Sequence, residues 1–194
     1  IVYNKLKNII PHKLKFDKFQ PRLLENSDIP MVQKFFEENS DFFILGNGKN
    51  PEKNEAEEVF KMLPERKTLD DKFLVGLFND EKLIAFIDMI QNYKTESQWS
   101  IGLYIIDKKH RKQKIGTKLL NTLENLLLSL KATSLSIVVN EQNQNALEFW
   151  KNNNFKEESR RKPLRIERLC CGATMSPGFM MIQLSCCYPC RSCR

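Results

Sequence analysis

At 194 residues the chain is sized for one domain and can bury a core without disulfides or metal. Its 41% hydrophobic and 28% charged residues, with 7 glycines and 8 prolines, exclude collagen-like and disordered classes, and no apolar run approaches the ~18 residues of a membrane span. The net charge of +7 sits at the ends: residues 1–18 carry five lysines and one aspartate, residues 156–194 eight basic and three acidic side chains, and residues 19–155 18 basic and 20 acidic ones. That distribution argues against a nucleic-acid footprint across the body.

The opening stretch IVYNKLKNIIPHKLKF begins without methionine, as a fragment would, and lacks a signal peptide's apolar core. A cytoplasmic protein is therefore expected, with residues 1–18 as a solvated basic arm. Gln20–Glu25 reads as a strand. Asn26-Ser27-Asp28 supplies an N-cap, and Met31, Val32, Phe35 and Phe36 form a helical stripe. Gly46–Pro51 reads as a loop, and Asn54–Leu63 as a second helix stopped at Pro64. Phe73–Phe78 and Leu83–Ile90 form a hairpin around Asn79–Lys82. Trp99–Ile106 is the next strand, with Gly102 marking a bulge.

A long helix follows the basic segment 107–114, with Ile115, Leu119, Leu120, Leu123, Leu126, Leu127 and Leu130 on one face. Leu135–Val139 is a short buried strand, and Asn143–Asn153 a helix carrying Ala146, Phe149 and Trp150. Phe155 opens a further strand and Phe179–Leu184 a final one. The order predicts a mixed α/β single domain around a largely antiparallel sheet. It spans residues 19–185, before a Cys-rich tail over 186–194. All six cysteines (170, 171, 186, 187, 190 and 193) lie near the C-terminus, and neither histidine, His12 or His110, is close by in sequence. A zinc site needs four ligands, usually in two separated pairs. No metal is expected, and the tail reads as reduced thiols.

The chemistry concentrates where the fourth strand runs through a basic loop into a helix. Such a junction leaves backbone N–H groups unpaired at the positive end of the helix dipole, an anion site. Gly116 bares the backbone there. Lys108, Lys109, Arg111, Lys112, Lys114 and Lys118 surround it, the densest positive cluster of the chain's middle. A tight turn with solvated lysines fits the same residues.

Here the sequence resembles the GCN5-related N-acetyltransferase superfamily. Its acetyl-CoA signature, Arg/Gln-x-x-Gly-x-Gly/Ala, reads Arg111-Lys112-Gln113-Lys114-Ile115-Gly116, with Lys114 in place of the middle glycine. A second block matches at Asn143, Ala146 and Phe155, with Trp150 where the family has tyrosine and Asn154 where it has glycine. Leu63-Pro64, Ile101-Gly102-Leu103 and Phe149-Trp150 are similar to a bacterial subgroup. The resemblance covers about Phe19 to Phe155. It implies one domain with a twisted, mostly antiparallel sheet, flanking helices, and splayed fourth and fifth strands.

The resemblance further implies that acetyl-CoA binds as co-substrate. Its pyrophosphate would lie on the backbone of Arg111, Lys112, Gln113, Lys114, Ile115, Gly116 and Thr117. Its pantetheine arm would pair with Tyr104, Ile105 and Ile106, and Asn143 and Trp150 would meet it beyond the fifth strand. The implied reaction is direct acetyl transfer to an amine of a small molecule or peptide. Ser100 stands where histone-type members carry a glutamate. Ser100, Asp88 and Tyr104 are the candidate catalytic residues, with Glu141 after the fifth strand. A degenerate acyl-CoA-binding module without turnover is the competing reading, and a nucleic-acid binder with basic ends a third. A homodimer is compatible with all of them.

Overall fold

The structure is a computed structural model and describes residues 8–10, 12–161 and 181–187. Seven strands form one sheet in the order β1-β2-β3-β4-β5-β7-β6. They are β1 (Gln20–Leu23), β2 (Lys72–Asn79), β3 (Lys82–Gln91), β4 (Gln98–Ile106), β5 (Ser134–Asn140), β6 (Lys156–Arg161) and β7 (Met181–Cys187). Every pairing is antiparallel except β4 with β5. The helices are α1 (Ile29–Glu38), α2 (Ser40–Asn47), α3 (Glu55–Lys61), α4 (Ile115–Ser129) and α5 (Gln144–Asn152). The mixed α/β architecture and mostly antiparallel sheet agree with the sequence reading.

Each sheet face carries its own core. On one, Leu119, Leu120, Leu123 and Leu127 of α4 and Trp150 of α5 pack on Val75, Ile87, Ile101 and Ile137. On the other, Val32, Phe36, Phe43 and Phe60 pack on Leu74, Phe86, Leu103 and Ile105. Neither layer could bury its apolar face alone.

Strand β4 serves both cores because of one inserted residue. Asp88 pairs with Leu103 and Met89 with Ile101, so Gly102 has no partner on β3 and is the expected bulge. A one-residue insertion flips the side chains beyond it. Trp99 and Ile101 accordingly face the α4 core, whereas Leu103 and Ile105 face the α1–α3 core.

Three features depart from the sequence reading. Three helices, not two, join β1 to β2: α2 incorporates Gly46 and Asn47, read as loop, and Gly48 ends it at φ 76°. Its consecutive Phe42, Phe43, Ile44 and Leu45 make no helical stripe, which is why periodicity missed it. The arm read as solvated sends Ile10 and Leu14 into the core, both fully buried. Strand β7 continues through Cys186 and Cys187, which pair with Leu135 and Ser134 of β5. The remaining cysteines lie outside the described residues. Among the described residues, no helix is long and apolar enough to cross a membrane.

Candidate active site

Strands β4 and β5 pair only from Gln98↔Ser134 to Ile101↔Ile137. Beyond Gly102 the two part: β4 stays on β3 as far as Ile106, and β5 stays on β7 as far as Asn140. This is the expected splay, a slot between two strand edges. The Asp107 N–H donates to Ile84 O at 2.8 Å, which fixes the phase of the β3–β4 ladder. Alternate residues of an antiparallel strand turn their backbone groups to opposite sides. Leu103 and Ile105 therefore pair with β3, and Tyr104 and Ile106 turn theirs toward the slot.

The basic loop lies at the end of this slot. Asp107 caps the short turn Lys108–His110 by accepting from the Lys109 N–H at 3.2 Å, and its other oxygen lies 3.0 Å from His110 Nδ1. Burial opposes ionisation of Asp107. The Lys109 N–H, the His110 ring and the Lys82 charge outweigh it and hold the carboxyl below its ordinary value. Lys112 and Lys114 adopt positive φ, 61° and 60°, so the position where the resembling motif has glycine is left-handed here. Lys114 is the N-cap of α4; its side chain makes no cap bond, and the first turn holds no acidic residue. The first-turn N–H groups of α4 thus have no capping side chain from Lys114 and no acidic residue of their own turn beside them.

Gly116 faces α5 and the end of β4: a Cβ there would meet Phe149 at 3.4 Å and Ile106 at 3.5 Å, ordinary packing distances. Its carbonyl accepts the Tyr104 hydroxyl at 2.6 Å, pinning β4 to α4. Burial, with the Glu124 charge, raises the Tyr104 pKa well above its ordinary value. Trp150, 3% exposed, stacks edge-on against Tyr104, Phe149 and Phe155 at 5.3, 5.1 and 4.8 Å. Asn143 Oδ1 caps α5 by accepting from the Ala146 N–H at 3.1 Å.

The three candidate catalytic residues do not meet in one cluster. Tyr104 lies on the α4 face of the sheet. Asp88 and Ser100 alternate with residues of that face on β3 and β4 and so turn to the α1–α3 side. Asp88 is fully buried, and Lys72 Nζ donates to both of its oxygens at 2.8 Å. Burial pushes its pKa up to about 6 against the opposing pull of Lys72. Beside this pair an open groove of about 360 Å³ is walled by Phe60, Leu69, Lys72 and Leu74. It adjoins β2, two strands from the slot. Glu141 accepts from Arg160 at 2.8 Å.

Sequence reasoning missed the partners that neutralise part of the basic cluster. Lys118 pairs with Asp17 at 2.7 Å, and the Arg111 guanidinium is held by Asp41. Both aspartates are remote in sequence, and no local pattern announces them.

No curated protein matches the chain by sequence. Many solved structures share its fold. An acetyltransferase from Thermus thermophilus superposes with a TM-score of 0.66 at 15% identity, over 88% of this chain and 97% of that one. The PaiA N-acetyltransferase of Thermoplasma acidophilum, solved in complex with coenzyme A, gives 0.60 at 17% identity, over 89% and 100%. The Escherichia coli ribosomal-protein-S18-alanine N-acetyltransferase gives 0.59 at 15% identity, over 86% and 92%. A family model matches residues 32–155, which include the slot, the basic loop and α5. The chain therefore belongs to the acetyltransferase (GNAT) family.

Proposed function

We propose that this protein moves the acetyl group of acetyl-CoA to an amine of a small molecule or peptide by direct attack. The observation that carries the reading is the continuity of the slot with the uncapped α4 N-terminus: an open strand edge leads into a cluster of N–H donors. A pyrophosphate suits those donors, and an amide-bearing pantetheine arm suits the strand edge at Tyr104 and Ile106. Lys112 and Lys114, both exposed, add positive charge beside the phosphates. Asn143 and Trp150 close the far side.

In the reaction the amine nitrogen bonds to the thioester carbonyl carbon and the C–S bond breaks. The nitrogen gives up a proton and the thiolate gains one. Backbone N–H groups of the slot polarise the carbonyl. The Tyr104 proton is engaged by Gly116 and Asp88 is sealed by Lys72. We therefore assign most of the acceleration to positioning and thiolate protonation to solvent. Asp88, Ser100 and Tyr104 then act through structure rather than as proton carriers. The same two engaged groups favour the second reading, an acyl-CoA-binding module without turnover.

The test is thiol release from acetyl-CoA across a panel of primary amines, with CoA binding measured by calorimetry. Turnover on any amine supports the transferase. Binding without turnover across the panel supports the module, and absence of binding removes both.

A further inference from the structure

Helix α2 lies across the open end of the slot and is tied to both of its lips. On the β4 side, Asp41 accepts two donors of Arg111, with Oδ1 3.1 Å from Nη2, and Arg111 Nε donates to the Ile106 carbonyl at 2.9 Å. Fully buried Asn39, next to α2, accepts from the Lys108 N–H at 2.7 Å. On the β5 side, Asn140 is the last residue of the strand and buried. It donates Nδ2 to the Gly46 and Leu45 carbonyls at 3.1 and 3.4 Å.

The anchors at Asp41 and at Leu45–Gly46 are four to five residues apart on a helix. At ~1.5 Å of rise per residue this is about 6–7.5 Å. Paired strands lie only ~4.8 Å apart. A rigid element longer than a ladder spacing, fixed at each end to one lip, keeps the lips from closing. The backbone groups of Tyr104 and the Ile106 N–H turn into this gap, and such groups otherwise seek a partner strand.

We infer that α2 is a spacer that holds β4 and β5 apart, and that Asp41 and Asn140 are the positioning residues that fix it. The spacer makes Arg111 a clamp: its guanidinium joins the end of β4 to α2, and the phosphate contacts fall to the backbone and the exposed lysines. The slot is then open before any ligand arrives, which lowers the reorganisation that binding requires. The consequence for acetyl-CoA rests on the function proposed above; the spacing of the strands does not.

The experiment uses the full chain with Asp41→Ala, Asn140→Ala, the double variant, and Asp41→Glu as the conservative control. Residue-resolved amide exchange is measured without ligand, and CoA affinity by calorimetry. In the wild type, the Tyr104 and Ile106 amides exchange at least tenfold faster than those of Leu103 and Ile105, which pair with β3. In the double variant they slow about tenfold as the lips close, and CoA affinity falls about tenfold; Asp41→Glu restores both. Folded variants with unchanged exchange at Tyr104 and Ile106 overturn the spacer. Slowed exchange with CoA affinity unchanged, or with no CoA binding even by the wild type, upholds the spacer and removes the slot from the cofactor reading. If the double variant does not melt cooperatively, the two single variants decide by the same exchange criterion.

Discussion

Replacing Lys114 by glycine tests whether backbone or side chain makes the anion site. Lys114 caps α4 in the left-handed region, at φ 60° and ψ 8°. For an L-residue that conformation costs about 1–2 kcal/mol, which glycine avoids. Glycine gives back about 0.5–1 kcal/mol through its freer unfolded chain. Lys114→Gly should therefore raise stability by up to about 1.5 kcal/mol, or a few degrees in Tm for a domain of this size. The variant also loses one charge near the proposed pyrophosphate. At ~6 Å in a water-like medium that charge is worth about 0.7 kcal/mol, less after salt screening. CoA affinity should then fall about threefold or less, with a shallower salt dependence. Urea unfolding and calorimetry at two ionic strengths read both effects. A variant less stable than the wild type refutes the strain argument. A thirtyfold loss of CoA affinity refutes the backbone-led site and makes Lys114 a specific ligand.

The Asp88 carboxyl gives a pH signature. Its folded pKa, about 6, lies above its ordinary 3.8, so its contribution is full below about pH 4 and is lost as pH rises through about 6. Across that window the wild type should lose about 3 kcal/mol relative to Asp88→Asn, read as the difference between their unfolding free energies at pH 4 to 7. Parallel curves would refute the assignment. Gly76→Ala should destabilise by about 1–3 kcal/mol, because an added Cβ would meet Phe78 at 2.7 Å and Leu24 and Leu83 at 2.9 Å inside the core. Unchanged thermal unfolding would mean these side chains yield. Tyr104→Phe should cost about 1 kcal/mol through the lost bond to Gly116. Trp150→Phe should keep most of kcat. Neither variant should remove a basic limb from the pH–rate profile; a limb lost in Tyr104→Phe would make Tyr104 the thiolate's acid.

The readable parts of this molecule are those set by neighbours in sequence. The α4 stripe, the β2–β3 hairpin and the bulge at Gly102 are local patterns, and the structure contains all three. The basic loop opening α4 was legible for the same reason. What the sequence hid depends on partners far along the chain. Lys72 and Asp88 look like two ordinary strand charges until the β2–β3 register buries them together. Arg111 reads as one of six basic side chains around the α4 turn, and its partner Asp41, 70 residues away, is not legible. Helix α2 was invisible because its apolar residues are consecutive. Its register is set by Asn39 and Asn140, contacts that no periodicity encodes.

The four-pair ladder between β4 and β5 has a mechanical consequence. It is the sole strand pairing that joins β1–β4 to β5–β7–β6 among the described residues. The sheet therefore has a seam, and the slot is its unstitched half. Local opening concentrates where few backbone bonds must break together, so the two panels should breathe about this line. A molecule bound to both edges would act as the missing thread, joining the panels along the length that the chain leaves unsewn.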